Sequence, residues 1–107
     1  MSLVLLKQFK TFVDGRGVGT KIDNSRGFDS CALGIFARQV LNEGDYYRAC
    51  EEILTTIHQM KTPLSTKMHI NLGSMFTDRE SGVYPYKTYG RLQKDLAKLV
   101  AEMEKVS

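Results

Sequence analysis

Two side chains of this 107-residue sequence have the chemistry of a nucleophile and of its general base. Cys31 falls at the predicted start of a helix, where backbone amides and the helix dipole lower the pKa of a thiol. His69, further along the chain, is the residue type that most often removes such a proton. Cys31 and His69 are therefore the candidate catalytic residues, and the reaction they would support is thiol-dependent hydrolysis.

The segments around these two residues resemble the papain-like cysteine hydrolases, in which a cysteine opens a helix and a histidine lies on a later strand. The matching segments are Asp29-Ser30-Cys31-Ala32-Leu33 and His69-Ile70-Asn71-Leu72-Gly73. The resemblance implies a hydrolase that uses Cys31 and His69. The interval between them is short, His69 falls on a predicted helix, and no further residues match. We therefore expect both residues to pack in or beside a core, and the protein not to be an enzyme.

Metal ligation is the second chemistry that cysteine and histidine support. The sequence contains two residues of each type, and none has the close paired spacing that zinc sites use. They are Cys31, Cys50, His58 and His69. His58 falls at the border of an apolar helix face, where a partly buried, hydrogen-bonded histidine is common. The sequence therefore predicts no metal site and no cofactor.

Residues 16–27 form a loop that is rich in glycine and in basic side chains. The Walker phosphate-binding pattern places glycine and lysine before serine or threonine, between a strand and a helix. In residues 15–21 the threonine precedes the lysine, and a helix precedes the loop, so the pattern does not apply. Loops of this length are often functional or mobile. We therefore take Arg16, Lys21 and Arg26 as candidate binding residues.

A second candidate surface combines tyrosines with basic residues near the start of the last helix. Its candidate binding residues are Tyr84, Tyr86, Lys87 and Arg91. Tyr84 and Tyr86 flank a proline and are expected to be partly exposed. Tyrosine and arginine are enriched in the energetic centres of interfaces, and they can also stack on bases or pair with phosphates. The alternative is that Tyr86 and Tyr89 only close the end of the helical bundle, with their hydroxyls in water.

Composition places these residues in an ordinary globular chain. Apolar residues make up 42% and charged residues 25% of the sequence, which is the composition of an ordinary globular protein and not of a disordered chain. The net charge of +3 permits an acidic partner without requiring one. Two cysteines on predicted inner helix faces favour a reducing cytoplasm, and no stretch is apolar enough to cross a membrane or to act as a signal peptide.

Apolar periodicity predicts a single domain, residues 1–107, with about five helices. The segments are Ser2–Asp14, residues 29–42, Tyr46–Lys61, residues 64–76, and a last helix that follows a polar turn ending at Tyr86 and runs to about Val106. Residues 64–76 are ambiguous, because three of their apolar residues also alternate as in a strand. A Thr62-Pro63 start and four apolar residues at helical spacing favour the helix.

The helix predicted for residues 29–42 is expected to lie at the centre of the fold. Asp29 or Ser30 can cap its first turn, and the segment 31–37 has no polar residue. A helix that is apolar all round is normally buried on several sides. Gly34 costs helix propensity and is expected to allow a neighbouring backbone to approach closely. The predicted fold is thus all-α, a compact bundle around a buried central helix.

The functional prediction that fits these features is a small cytoplasmic binding protein that docks on another protein. It rests on two apparently exposed segments, 16–26 and 84–91, and on the weakness of every catalytic pattern. An accessory or inhibitory role, of the kind that phages and mobile elements encode, would fit. The alternatives are a cysteine hydrolase using Cys31 and His69, and a weak nucleic-acid-binding module that uses the basic glycine-rich loop.

Overall fold

The computed structural model describes residues 3–22, 32–41, 46–77 and 86–106. These residues fold into an all-α structure whose radius of gyration, 12.6 Å, is close to the value of about 13 Å expected for a compact chain of this length. The helices are α1 (Leu3–Asp14), α2 (Ala32–Phe36), α3 (Tyr46–His58), α4 (Pro63–Thr77) and α5 (Tyr89–Val106). The only β-type pairing in the described residues is one isolated bridge between Lys21 and Thr88.

Helix α2 lies at the centre, as predicted, and contacts α1, α3 and α4. Leu33 and Phe36 are buried, and the ring of Phe36 packs on two rings of α1. Its centroid lies 5.3 Å from that of Phe9 and 5.6 Å from that of Phe12, in edge-on and tilted geometries. Aromatic pairs favour such geometries. The buried α2 therefore joins α1 to the α3–α4 pair.

The predicted 29–42 helix differs from the observed one in its second half. After Phe36 the chain continues as a π-helical turn, Ala37–Leu41, in which each turn contains more residues than in an α-helix. The prediction that the α-helix continues beyond residue 36 is therefore wrong, because residues 37–41 are π-helical. The predicted caps Asp29 and Ser30 lie outside the described residues.

The ambiguity at residues 64–76 is resolved in favour of the helix, which is α4. Its first turn is closed by a reciprocal cap. The Ser65 amide donates to Thr62 Oγ1 at 3.0 Å, and the Thr62 amide donates to Ser65 Oγ at 2.8 Å. Pro63 occupies the first helical position, where its missing N–H costs nothing. These contacts supply partners for amides that the helix itself leaves unbonded.

Helix α3 ends earlier than predicted, at His58 rather than at Lys61. The next amides include that of Met60, which bonds three residues back to the Ile57 carbonyl at 3.2 Å and tightens the end of the helix. Lys61 then adopts a left-handed conformation with φ of 55°. That conformation cannot continue an α-helix, and it turns the chain into the Thr62 cap of α4.

Candidate functional site

The two segments that the sequence offers as separate binding surfaces lie side by side. The Ile22 amide donates to the Lys87 carbonyl at 2.9 Å, and the Tyr89 amide donates to the Thr20 carbonyl at 2.9 Å. Lys21 and Lys87 are both exposed at this junction. The loop after α1 and the start of α5 therefore form one surface. Arg26 and Tyr84, the remaining candidates of the two segments, lie outside the described residues.

Arg16 is bound to its own fold. Its guanidinium carbon lies 4.6 Å from the centroid of Phe12 and 5.7 Å from that of Tyr89, which are cation–π distances. Nη2 also donates to Gln39 Oε1 at 3.1 Å, on the π-helical turn. This half-buried side chain thus connects α1, the π-helical turn and α5. The contacts favour a structural role over ligand binding.

Gln93 fixes the loop from the α5 side. Its side-chain Nε2 donates to the carbonyl of Val13 and to the carbonyl of Arg16, both at 2.9 Å. Val13 belongs to the last turn of α1, where carbonyls lack helical partners. The Val13 carbonyl also accepts the Arg16 amide at 3.0 Å, so the Gln93 side chain adds a second bond there and holds the beginning of the loop to α5. Sequence periodicity does not reveal this role, because it depends on contacts across the fold.

Gly90 lets the loop approach α5 closely. Its amide donates to the Val18 carbonyl at 3.0 Å. A Cβ atom built on Gly90 would lie 2.6 Å from Val18 Cγ1 and 2.7 Å from Val18 O. The glycine is therefore required by the close approach of a backbone, not by an unusual backbone angle.

Replacing Gly90 by alanine is expected to destabilise the fold by about 1–3 kcal/mol, the usual cost of overpacking, although alanine is the better helix former. Chemical denaturation measures the difference. Gly19→Ala is the matched control, because a Cβ there meets nothing within 4 Å. We expect that control to stay within about 0.5 kcal/mol of the parent. Equal or greater stability of Gly90→Ala would contradict the observed loop position.

Tyr86 corrects the sequence prediction, which places it partly in solvent. The side chain is fully buried, and its hydroxyl donates to Asp95 Oδ2 at 2.9 Å. Burial, followed by the hydrogen bond and charge of Asp95, raises the pKa of the Tyr86 phenol far above its ordinary value. The ring can be buried because a carboxylate inside the protein satisfies the hydroxyl. The alternative, in which the Tyr86 hydroxyl lies in water, is contradicted by the bond to Asp95.

A groove opens on the outer side of this junction, with a volume of about 530 Å³. We call it the basic groove. Its lining residues are Val18, Lys67, Thr88, Gly90, Arg91, Lys94 and Asp95. Lys67 Nζ lies 3.2 Å from Asp95 Oδ2, and the Asp95 side chain is 13% exposed. Three cations thus surround one carboxylate that already has two partners, Lys67 and Tyr86.

Of the predicted binding residues, Arg91 lines the basic groove, whereas Lys21 and Lys87 lie along the junction beside it. Two further cations of the groove, Lys67 and Lys94, were not predicted from the sequence. Lys94 follows Arg91 by about one helical turn, so helical spacing alone signals that the two share a face. Lys67 comes from α4, and only the packing of α4 against α5 brings it to the same groove.

Of the two candidate residues for a cysteine hydrolase, the structure describes His69. Cys31 lies outside the described residues. His69 is on α4, a helix, whereas the resemblance implies a strand. Cys50 is buried and its thiol donates to the Leu33 carbonyl at 3.5 Å. Its buried position favours a packing role.

His69 has a partner that the sequence does not predict. The centroid of its ring lies 4.5 Å from that of His58, and the ring planes are tilted by 40°. Partial burial, and secondarily the neighbouring His58, lowers the pKa of His69. The described residues contain no cluster of three or more potential metal ligands.

Comparisons with protein-family models, curated proteins and solved structures found no significant match. Within the described residues, no helix is long and apolar enough to cross a membrane. A functional assignment therefore has to rest on the chemistry of the basic groove and of its surroundings.

Proposed function

We propose that this protein is a binding module that docks an acidic segment of a partner protein in the basic groove. The observation that carries the proposal is the convergence of three cations, Lys67, Arg91 and Lys94, in one groove. They come from two helices, α4 and α5. Opposite charge on the partner would complement this groove and would guide association.

The three cations of the groove differ in whether they form an ion pair within the protein. Lys67 forms an ion pair with Asp95. Among the described residues, neither Arg91 nor Lys94 forms an ion pair, and both are exposed. Arginine presents a planar fork of donors that matches a carboxylate, and lysine adds a flexible point charge. These two residues are therefore the expected anchors for an aspartate or glutamate of the partner.

An exposed apolar side chain adjoins these cations and favours a peptide as the ligand. Val18 is 71% exposed, and it lines the groove through its contact with the start of α5. An apolar residue of the partner would remove this surface from water while its acidic neighbours reach Arg91 and Lys94.

The same observations disfavour a nucleic acid. Tyr86 and Tyr89, the tyrosines beside the groove that could stack on bases, are 0% and 3% exposed. Arg16 is held by Phe12, Tyr89 and Gln39. These candidates therefore provide no exposed platform on which bases could stack.

Selection from a random peptide display library tests the proposal and also identifies the preferred sequence of the ligand. We expect the recovered peptides to be enriched in aspartate and glutamate next to one apolar residue. Their binding should weaken as salt rises, because exposed charges are screened. A single-stranded oligonucleotide is titrated in parallel. Recovery of neutral or basic peptides, or tighter binding of the oligonucleotide, would overturn the proposal.

Charge reversal in the groove is expected to weaken a selected peptide by at least about tenfold, or about 1.4 kcal/mol. The variant is Arg91→Glu with Lys94→Glu. Its matched control, Lys98→Glu with Lys105→Glu, changes the net charge equally on exposed positions of the same helix, outside the groove lining. Fluorescence anisotropy gives both affinities. Equal losses in the two variants would show that net charge, not the groove, controls binding.

A further inference from the structure

His58 and His69 bring two imidazole rings together from two different helices. His58 is the last residue of α3, and His69 lies in the second turn of α4. Their centroids are 4.5 Å apart and their planes are tilted by 40°. His58 is exposed and His69 is half-buried, so a dissolved ion can reach the pair.

The separation of the rings fits a shared metal ion. Metal–nitrogen bonds of about 2.0–2.1 Å place a bound ion about 3.2 Å from the centre of each ligating ring. If the two metal–nitrogen bonds meet at a right angle, the ring centres would lie about 4.5 Å apart. A tetrahedral angle between these bonds would place the centres about 5.2 Å apart. The observed 4.5 Å therefore agrees with adjacent positions in a tetragonal or octahedral site.

The polarity of α3 also favours a cation. The last carbonyls of a helix carry partial negative charge, and His58 is at that end of α3. Imidazole nitrogen suits copper, nickel and zinc better than magnesium or calcium, and tetragonal nitrogen sites are typical of Cu²⁺ and Ni²⁺. We propose that His58 and His69 form a two-histidine site for a divalent transition-metal ion, preferentially Ni²⁺ or Cu²⁺, with water completing the coordination.

The site would connect the end of α3 to α4, across the turn at residues 59–62. An ion that binds only the folded arrangement of both ligands stabilises the folded state. A raised melting temperature is therefore a second readout, separate from affinity. The proposal is independent of the basic groove, whose lining contains neither histidine.

Calorimetric titration with Ni²⁺ tests the site. We expect one ion per chain, an affinity at least about tenfold weaker in His58→Phe and in His69→Phe, and no heat with Mg²⁺. Phenylalanine retains a ring but removes the ligating nitrogens, so a purely aromatic contact would survive these changes. Cys31→Ser is the control for thiol ligation, and it should bind Ni²⁺ like the parent.

The thermal measurement uses the same variants. Ni²⁺ should raise the melting temperature of the parent and of Cys31→Ser, but not that of either phenylalanine variant. Binding by the phenylalanine variants as tight as that of the parent, loss of binding in Cys31→Ser, or absence of Ni²⁺ binding by the folded parent would each overturn the two-histidine site.

Discussion

Phe36→Ala is expected to lower the free energy of unfolding by about 3–5 kcal/mol, the range for removing a large buried aromatic side chain. Phe36 is fully buried, and it packs on Phe9 and Phe12 where α2 meets α1. Its removal would leave a cavity at the centre of the bundle, and it would also abolish both ring contacts. Chemical denaturation, monitored by circular dichroism, gives the free energy directly.

The matched control for this prediction is Val4→Ala, which also removes apolar atoms from a helical residue. Val4 is 72% exposed, so the change should remain within about 0.5 kcal/mol. A loss of less than about 1 kcal/mol for Phe36→Ala would mean that α2 is not the centre of the packing.

Tyr86→Ala is expected to be the second most damaging change, again by about 3–5 kcal/mol. The ring is buried in the core, and the hydroxyl is bonded to Asp95. Tyr86→Phe separates the two contributions, because it removes only the hydroxyl. Its expected cost is about 1.5–3 kcal/mol, the net contribution of one hydrogen bond to a charged group.

Affinity measured on the same two variants separates a core residue from a docking residue. We expect Tyr86→Phe to bind a selected acidic peptide like the parent, since the hydroxyl faces Asp95 and not the solvent. Tyr86→Ala should lose binding only in proportion to its unfolded fraction. A loss of affinity in Tyr86→Phe that is still fully folded would contradict the buried position of this residue.

Helix positions could be predicted from the sequence because local signals and tertiary packing agree along most of the chain. In α5, Leu92, Leu96 and Leu99 recur at helical spacing, and all three are buried. In α4, the Thr62-Pro63 start identifies the helix despite an alternating pattern further on. These features depend on residues within a few positions of one another, which is the range that periodicity and capping describe.

The errors concern the local backbone at two places and the burial of one side chain. The π-helical turn after Phe36 and the left-handed Lys61 have no distinct local signature. The sequence predicts a partly exposed Tyr86 because the residue lies next to a proline in a polar stretch. Its burial depends on Asp95, which reaches it from α5.

The candidate site could also be predicted only in part. Arg91 could be selected from its own segment, and helical spacing would have added Lys94. Lys67 could not be found this way, because its place in the basic groove depends on the packing of α4 against α5. The internal role of Arg16 likewise requires rings from α1 and α5. The sequence alone identifies charged residues that are candidates for binding a partner. It does not distinguish those whose side chains are held by the fold from those that can reach a ligand.

The most direct test of the central claim is a nuclear magnetic resonance titration of ¹⁵N-labelled protein with a selected acidic peptide. If the basic groove is the docking site, the largest amide shift changes should cluster at Val18, Lys67 and residues 88–95. The exposed face of α3, which carries Glu51 and Glu52, should change little. Shift changes concentrated on α3, or none at saturating peptide, would contradict the account.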